Sequence, residues 1–347
     1  MSKRLLGEKK LDESQFLEVQ KSSPQSYIFT GSGLNSLRTN EVSCVVSSSK
    51  ELPLHISGIR GKDGFTLQLP YESDCWIFSF KMNNGREIAV STRKLNIEGS
   101  VNFRDLGGYY TTTKRQLKWR KLFRSGHLSN FTEKDRKDFE RLGISTICDF
   151  RTLKERSKED TPKLEGVTIY PVPIIAGIEG DDRYLHKLFA NTDKPEVILD
   201  AMLSILEELV KNARQNYRKL FEIIMSSDDG GVLLNCSAGK ERTGIGAALL
   251  LLSLGVERTS IEYDFMLSRK YFPIEVEVQR VIEKYELDKN KVASKHLVLP
   301  LLETRPSYIQ VLFKYIDSHY GSVREFFQTE MLMTEEEIIK LKKRFII

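Results

Sequence analysis

Between Tyr27 and about Arg93 the chain runs through short apolar–polar alternations, SCVVSS, FTLQLP, CWIFSFKM and EIAVSTR, divided by turn signals. Alternation at period two puts every second side chain on one face of a strand. Gly61–Lys62–Asp63–Gly64 and Asn83–Asn84–Gly85 supply the reversals, because Asn-Gly pairs accept the positive φ that tight hairpins need. The pattern predicts a small, sandwich-like, all-β accessory domain over residues 27–95. His55 lies within it and reads as a structural residue rather than a ligand. Residues 1–26 are polar and charged and read as a loose arm.

After about Leu95 the period changes. Thr132 to Leu142 reads as a helix, with Thr132 as N-cap and acidic residues in the first turn. Ile144–Phe150, Val167–Val172 and Val232–Leu234 read as buried strands. Glu196 to Met225 is strongly helical, with Ile198, Met202, Ile205, Leu206 and Leu209 at helical spacing. Another helix starts near Thr243, and Ser260–Phe265, Glu275–Tyr285, Ser307–His319 and Thr334–Phe345 complete a helical C-terminal quarter. Strands alternating with helices predict an α/β catalytic domain over residues 96–347, built on a parallel-rich central sheet.

Composition adds bounds. The 347 residues are 40% hydrophobic and 29% charged, which supports a packed core. Lysine plus arginine number 53 against 48 acidic residues, a net charge of +5. That bias suits an anionic substrate and is too weak to argue for nucleic acid. Cys44, Cys75, Cys148 and Cys236 are scattered, with no C-x-x-C pair, so neither zinc nor a disulfide framework is expected. The N-terminus MSKRLLGEKKLDESQ lacks a secretory apolar stretch, and the longest apolar run, Ile245–Leu252, is too short to cross a bilayer. The expectation is a cytoplasmic protein with no membrane span, no metal and no cofactor; its oligomeric state is open.

The chemistry concentrates in VLLNCSAGKERTG, Val232 to Gly244. An apolar strand leads to Cys236, five residues follow, then Arg242, Thr243 and an apolar helix. A strand-to-helix loop of small residues lets successive backbone N–H groups point at one anion, and the helix start adds unpaired donors and partial positive charge. Ser237, Ala238, Gly239, Lys240 and Thr243 are therefore the phosphate-binding candidates, with Gly239 allowing close approach. Arg242 offers a planar fork for two phosphate oxygens. The same field favours a thiolate at Cys236, poised for in-line attack. Thr243 could donate to that sulfur. A buried structural thiol would leave the basic residues, the small residues and the helix start unexplained. The spacing lacks G-x-G-x-x-G, and Gly239–Lys240 is followed by glutamate rather than the Ser/Thr of a nucleotide P-loop.

This segment resembles the H-C-x-A-G-K-D-R-T-G signature of the bacterial and fungal tyrosine and lipid phosphatases, a family with secreted mycobacterial and listerial members. VNFRDLGGYYT, LFRSGHLSNFTEKD, TICDFRTLKER and IEYDFMLS are similar to four further motifs of that family, in order, from about Leu95 to the C-terminus. The resemblance implies the protein tyrosine phosphatase fold, a phosphocysteine intermediate, and phosphorylated protein or phosphoinositide substrates. Two positions depart from the family: Asn235 replaces the histidine before the cysteine, and Glu241 replaces the aspartate after the lysine. Asn235 is expected to hydrogen-bond the loop backbone.

One carboxyl must protonate the leaving group and then activate water. Glu241, within the loop, is the first candidate, Asp149 at a strand end the second and Asp105 the third. Asp149 has an equal reading as an anchor for Arg242 or a turn cap. Arg104, Arg124, Arg151 and His127 read as structural, and Asp264 as a loop-orienting residue. Lys240 either adds charge for multiply phosphorylated substrates, as a similar lysine does in phosphoinositide phosphatases, or is solvated at the rim. The region between Ile174 and Leu220, with Asp181–Asp182–Arg183–Tyr184, is a candidate flap. A phosphate-binding module with little turnover is the alternative; arsenate reduction or sulfur transfer, with Cys148 as partner thiol, is a weaker one.

Overall fold

The computed structural model describes the chain apart from residues 1–16, 32–33, 36, 38–40, 47–52, 62–63, 74, 176–181, 285–286 and 288–291. Two compact units divide it, Met1–Arg93 and Lys94–Ile347.

The first unit holds β1 (Glu18–Ser23), β2 (Ser26–Thr30), β3 (Glu41–Val46), β4 (Leu54–Ser57), β5 (Ile59–Arg60), β6 (Phe65–Gln68), β7 (Trp76–Lys81) and β8 (Glu87–Val90). They form antiparallel sheets in the orders β1-β2-β6-β5 and β4-β3-β7-β8. Tyr27 and Phe29 point inward from β2, and Trp76, Phe78 and Phe80 from β7. The Phe29 ring meets Phe78 at 5.0 Å and Phe80 at 5.1 Å, edge to face, so the two sheets close on one aromatic core. Asn83–Asn84–Gly85 makes the β7–β8 turn, with Gly85 at φ 80°. His55 is exposed, near the Ser43 hydroxyl. Of the segment read as a polar arm, residues 1–16 lie outside the described residues, while Glu18–Ser23 is a strand paired antiparallel with β2, with a register shift between Lys21 and Ser23. The polar residues there sit on a sheet face rather than in a loose arm; the buried Val19 was too thin a signal to reveal it.

The second unit holds β9 (Arg104–Asp105), β10 (Leu122–Ser125), β11 (Ile144–Asp149), β12 (Thr168–Pro171) and β13 (Gly231–Asn235), in the order β12-β11-β13-β10-β9. All neighbours are parallel except β9 and β10. β10 and β13 are buried at every residue, as expected of parallel strands covered on both faces.

The helices are α1 (Glu133–Arg141), α2 (Leu153–Lys158), α3 (Asp182–Asn191), α4 (Pro195–Asn212), α5 (Arg214–Ser226), α6 (Glu241–Ser253), α7 (Arg258–Met266), α8 (Ser268–Tyr271), α9 (Ile274–Lys284), α10 (Val292–Leu302), α11 (Pro306–Tyr320), α12 (Val323–Glu325) and α13 (Glu335–Phe345). Thr132, Thr152 and Thr334 start α1, α2 and α13 with reciprocal capping boxes to Asp135, Glu155 and Glu337. α6 is apolar on all sides and buried from Thr243 onward, so it forms the centre of the core. The strongly helical stretch over Glu196–Met225 is two helices that meet at Ala213, whose helix-compatible side chain gives no sign of the break. Asp182–Tyr184 belongs to α3, within the region read as a candidate flap, and Asp181 lies outside the described residues. Helix α10 had no counterpart in the sequence reading, because Pro300 interrupts its pattern. No helix among the described residues is long and apolar enough to cross a membrane.

Candidate active site

β13 lies between β10 and β11 and delivers Cys236 to the C-terminal edge of the parallel strands, where α6 begins five residues later. Ligands of α/β sheets gather at this edge.

The scaffold turns the loop inside out in a useful way: its carbonyls are bonded outward. Asn102 Nδ2 donates to Gly239 O at 2.8 Å, and Arg124 Nη2 donates to Gly239 O at 2.7 Å and Lys240 O at 3.0 Å. The His127 backbone N–H donates to Ser237 O at 3.0 Å. With these carbonyls held outside, the Gly239 N–H is left for the interior of the loop, where it meets the Cys236 sulfur. Gly239 has φ 68°, and a Cβ there would lie 2.4 Å from the Ser125 carbonyl carbon and 2.5 Å from its oxygen. Only glycine fits.

Arg104 and Arg124, both fully buried, share Asp264: Arg104 Nε–Oδ1 is 3.1 Å and Arg124 Nη1–Oδ2 is 2.7 Å. Burial and the neighbouring Arg104 pull the Arg124 guanidinium down to about 10, against the attraction of Asp264. This buried triad is the loop's outer brace.

At the floor, Cys236 is 2% exposed and its sulfur accepts the Gly239 N–H at 3.2 Å. The walls open outward, with the side chains of Arg242, Glu241 and Glu155 at 14%, 21% and 31% exposure. Thr243 Oγ1 is buried and makes no hydrogen bond among the described residues, so the structure does not join it to the sulfur. Both polar atoms of the Asn235 side chain are likewise buried and unpartnered, which corrects the expectation that they bond the loop backbone.

Glu155 is the residue that sequence reading missed. Its Oε2 accepts Arg242 Nη1 at 2.9 Å and its Oε1 accepts Arg242 Nη2 at 2.7 Å and the Ser237 hydroxyl at 2.8 Å. The same carboxylate closes the α2 capping box by accepting the Thr152 N–H at 2.8 Å. Burial pushes the Glu155 pKa up, but Arg242, Thr152 and Ser237 outweigh it and bring it to about 2. Burial also opposes the charge on Arg242, yet Cys236 and Glu155 raise its pKa overall. The Tyr217 hydroxyl, buried under α6, donates to Arg242 O at 3.0 Å. The T-x-x-E capping pattern at Thr152–Glu155 was the available signal.

The acid candidates separate clearly. Glu241 opens α6 at the mouth of the loop. Asp149 is 1% exposed, and its carboxylate accepts Arg151 N, Nε and Nη2, the last at 2.7 Å. Arg151 continues to Glu159 O and the Thr161 hydroxyl. Asp149 thus anchors Arg151 rather than Arg242 and caps the turn through Arg151 N, which favours the structural one of its two readings. Asp105 is held by Arg120 at 2.6 Å and by the Gly107 N–H. Burial pushes the Cys148 thiol up to about 12, which leaves it inert as a partner for Cys236. Lys240 is 3% exposed and turned toward the end of α10 rather than solvated. Among the described residues no group of three or more His, Cys, Asp or Glu is placed to hold a metal ion.

A buried thiol at a strand end, met by a loop amide and followed by an arginine in the first turn of a helix, is consistent with a cysteine-based phosphatase. Residues 95–347 match the sequence model of the tyrosine phosphatase family, and the chain belongs to that family. It is 28% identical over 251 residues to a Cupriavidus necator protein named as a tyrosine-protein phosphatase, spanning 71% of this chain and 85% of that one. It is 27% identical over 252 residues to the triple specificity protein phosphatase PtpB of Mycobacterium tuberculosis, spanning 65% and 90%. A tyrosine-protein phosphatase of Nostoc commune is 27% identical over 156 residues, spanning 43% and 48%.

Proposed function

We propose that this phosphatase cleaves phosphotyrosine foremost, and phosphoserine, phosphothreonine or phosphoinositides secondarily, through a phosphocysteine at Cys236. The Cys236 thiolate attacks phosphorus, the P–O bond to the leaving group breaks, and Glu241 gives that oxygen its proton. Water then attacks phosphorus, the P–S bond breaks, and the Glu241 carboxylate takes the proton from water. The loop amides and Arg242 bind the equatorial oxygens in both steps. Glu155 occupies the terminal nitrogens of Arg242 end-on, which leaves its Nε edge for phosphate. A nucleophile on a residue only 2% exposed favours a long, slim phosphoryl arm such as an aryl phosphate. The name of the M. tuberculosis relative supports breadth among phosphoamino acids. A reactive thiolate is best kept in a reducing compartment, which supports a cytoplasmic setting.

The observation that carries this reading is the convergence of Cys236, Gly239 N–H and Arg242 on one nest. Hydrolysis of p-nitrophenyl phosphate tests it. Cys236→Ser is expected to abolish turnover while inorganic phosphate still binds; unchanged turnover in that variant overturns it. The orphaned Thr243 hydroxyl and Asn235 amide favour the second reading, a phosphate-binding module, which predicts that the unaltered protein binds phosphate without turnover.

A further inference from the structure

The ammonium of Lys240 is spent before any substrate arrives. Its Nζ donates to Leu302 O at 2.5 Å, lies 3.4 Å from Leu301 O and 3.4 Å from the Glu241 carboxylate, and sits 4.7 Å above the Phe272 ring. Two of its N–H bonds have carbonyl acceptors, the Glu241 carboxylate adds an ion pair, and a ring face lies over the remaining side. Leu301 and Leu302 end α10, so their carbonyls have no partner within the helix and carry the negative end of its dipole. The preceding carbonyl, Pro300 O, is taken by the Tyr308 hydroxyl at 2.5 Å. Lys240 and Tyr308 together therefore satisfy the final turn of α10. A second contact runs beside the first: Ala238 of the loop packs on the apolar cluster of Phe189, Ile198, Phe272, Val281 and Val298, drawn from α3, α4, α9, α10 and the residue after α8.

We propose that Lys240 is a positioning residue that ties the last turn of α10 to the phosphate loop, so that the site serves one phosphate at a time. The helix end and Glu241 neutralise the lysine charge, and the nest offers an incoming anion its amides and Arg242. A second substrate phosphate would have to pull Lys240 away from α10. The tie stands on geometry alone; its consequence for substrates rests on the phosphatase reading above.

Amide hydrogen exchange of Leu301, Leu302 and Glu303 tests the tie. Lys240→Met keeps the apolar stem and removes the donors, and is expected to speed exchange there roughly tenfold, while β13 amides are unchanged. Lys240→Arg is expected to restore most of the protection. In the unaltered protein, saturation with inorganic phosphate is expected to leave these amides as protected as before, a measurement that stands even if the Met variant fails to fold. Unchanged exchange in a folded Met variant, or faster exchange on adding phosphate, overturns the tie. For substrates, Lys240→Met is expected to lower kcat/KM for p-nitrophenyl phosphate and for a short-chain inositol lipid bearing two ring phosphates by the same factor, within about twofold. A loss confined to the doubly phosphorylated lipid makes Lys240 a substrate ligand and overturns the proposal. Turnover of neither compound by the unaltered protein sinks the phosphatase reading and leaves the exchange result to decide the tie.

Discussion

Glu155 and Arg242 meet end to end, with Oε2–Nη1 at 2.9 Å and Oε1–Nη2 at 2.7 Å. The carboxylate that caps α2 thereby also fixes the guanidinium of the phosphate loop, and it does so through the two nitrogens farthest from Nε. A long flexible side chain becomes a rigid one before phosphate binds, so less ordering is left for catalysis.

Glu155→Gln should break this arrangement. With the ion pair gone, kcat/KM for p-nitrophenyl phosphate is expected to fall roughly a hundredfold. The folded Glu155 pKa lies at about 2 against 4.5 for the free side chain. A depressed carboxyl stabilises the fold above its unfolded value and loses that contribution as pH falls toward its folded value. The stability gap between the unaltered protein and the Gln variant should thus be constant near neutrality, shrink below about pH 4.5 and vanish near pH 2. Chemical unfolding at several pH values measures it; a gap independent of pH refutes the pairing.

Glu241 and Asp149 call for opposite outcomes. Glu241→Gln should leave cleavage of p-nitrophenyl phosphate, with its good leaving group, nearly intact. It should slow an unactivated aryl phosphate by roughly 10²–10⁴ and flatten the basic limb of its pH–rate profile. Asp149→Asn should keep that limb in whatever protein folds, and instead lower stability by about 3–5 kcal/mol, since Arg151 is left buried without its counter-charge. An altered basic limb in Asp149→Asn and an unaltered one in Glu241→Gln would reverse the assignment.

Asp264→Asn removes the one charge shared by the buried Arg104 and Arg124. The expected loss is about 3–5 kcal/mol of unfolding free energy. Because Arg124 also holds Gly239 O and Lys240 O, phosphate affinity should drop with it. Full affinity for phosphate in the variant contradicts the brace.

Asn235→Leu tests the orphaned amide beside the nucleophile. Both of its polar atoms are buried and unpartnered, and replacing such a group by an apolar one of similar size should raise stability by about 1–2 kcal/mol. Lowered stability would mean that the amide has a partner such as bound water.

Local chemistry made much of the molecule legible from the sequence. Thr132 announced α1 because its cap and its helix are neighbours in the chain, and alternation around Trp76–Lys81 announced β7 for the same reason. Cys236 to Arg242 reads as an anion loop because one turn of backbone contains the nucleophile, the nest and the fork. Which charges pair with which was invisible. Asp149 and Arg151 are two residues apart, yet only the closed sheet shows that the carboxylate turns to that arginine and away from Arg242. Glu155 and Arg242 are 87 positions apart, and Lys240 and Leu302 are 62 apart. The chain by itself determined which residues build the cradle, because small side chains, a cap and a strand act over a few bonds. Only the tertiary structure decided which charges that cradle keeps for a phosphate, because a buried ion takes whichever counter-charge folding brings within about 3 Å.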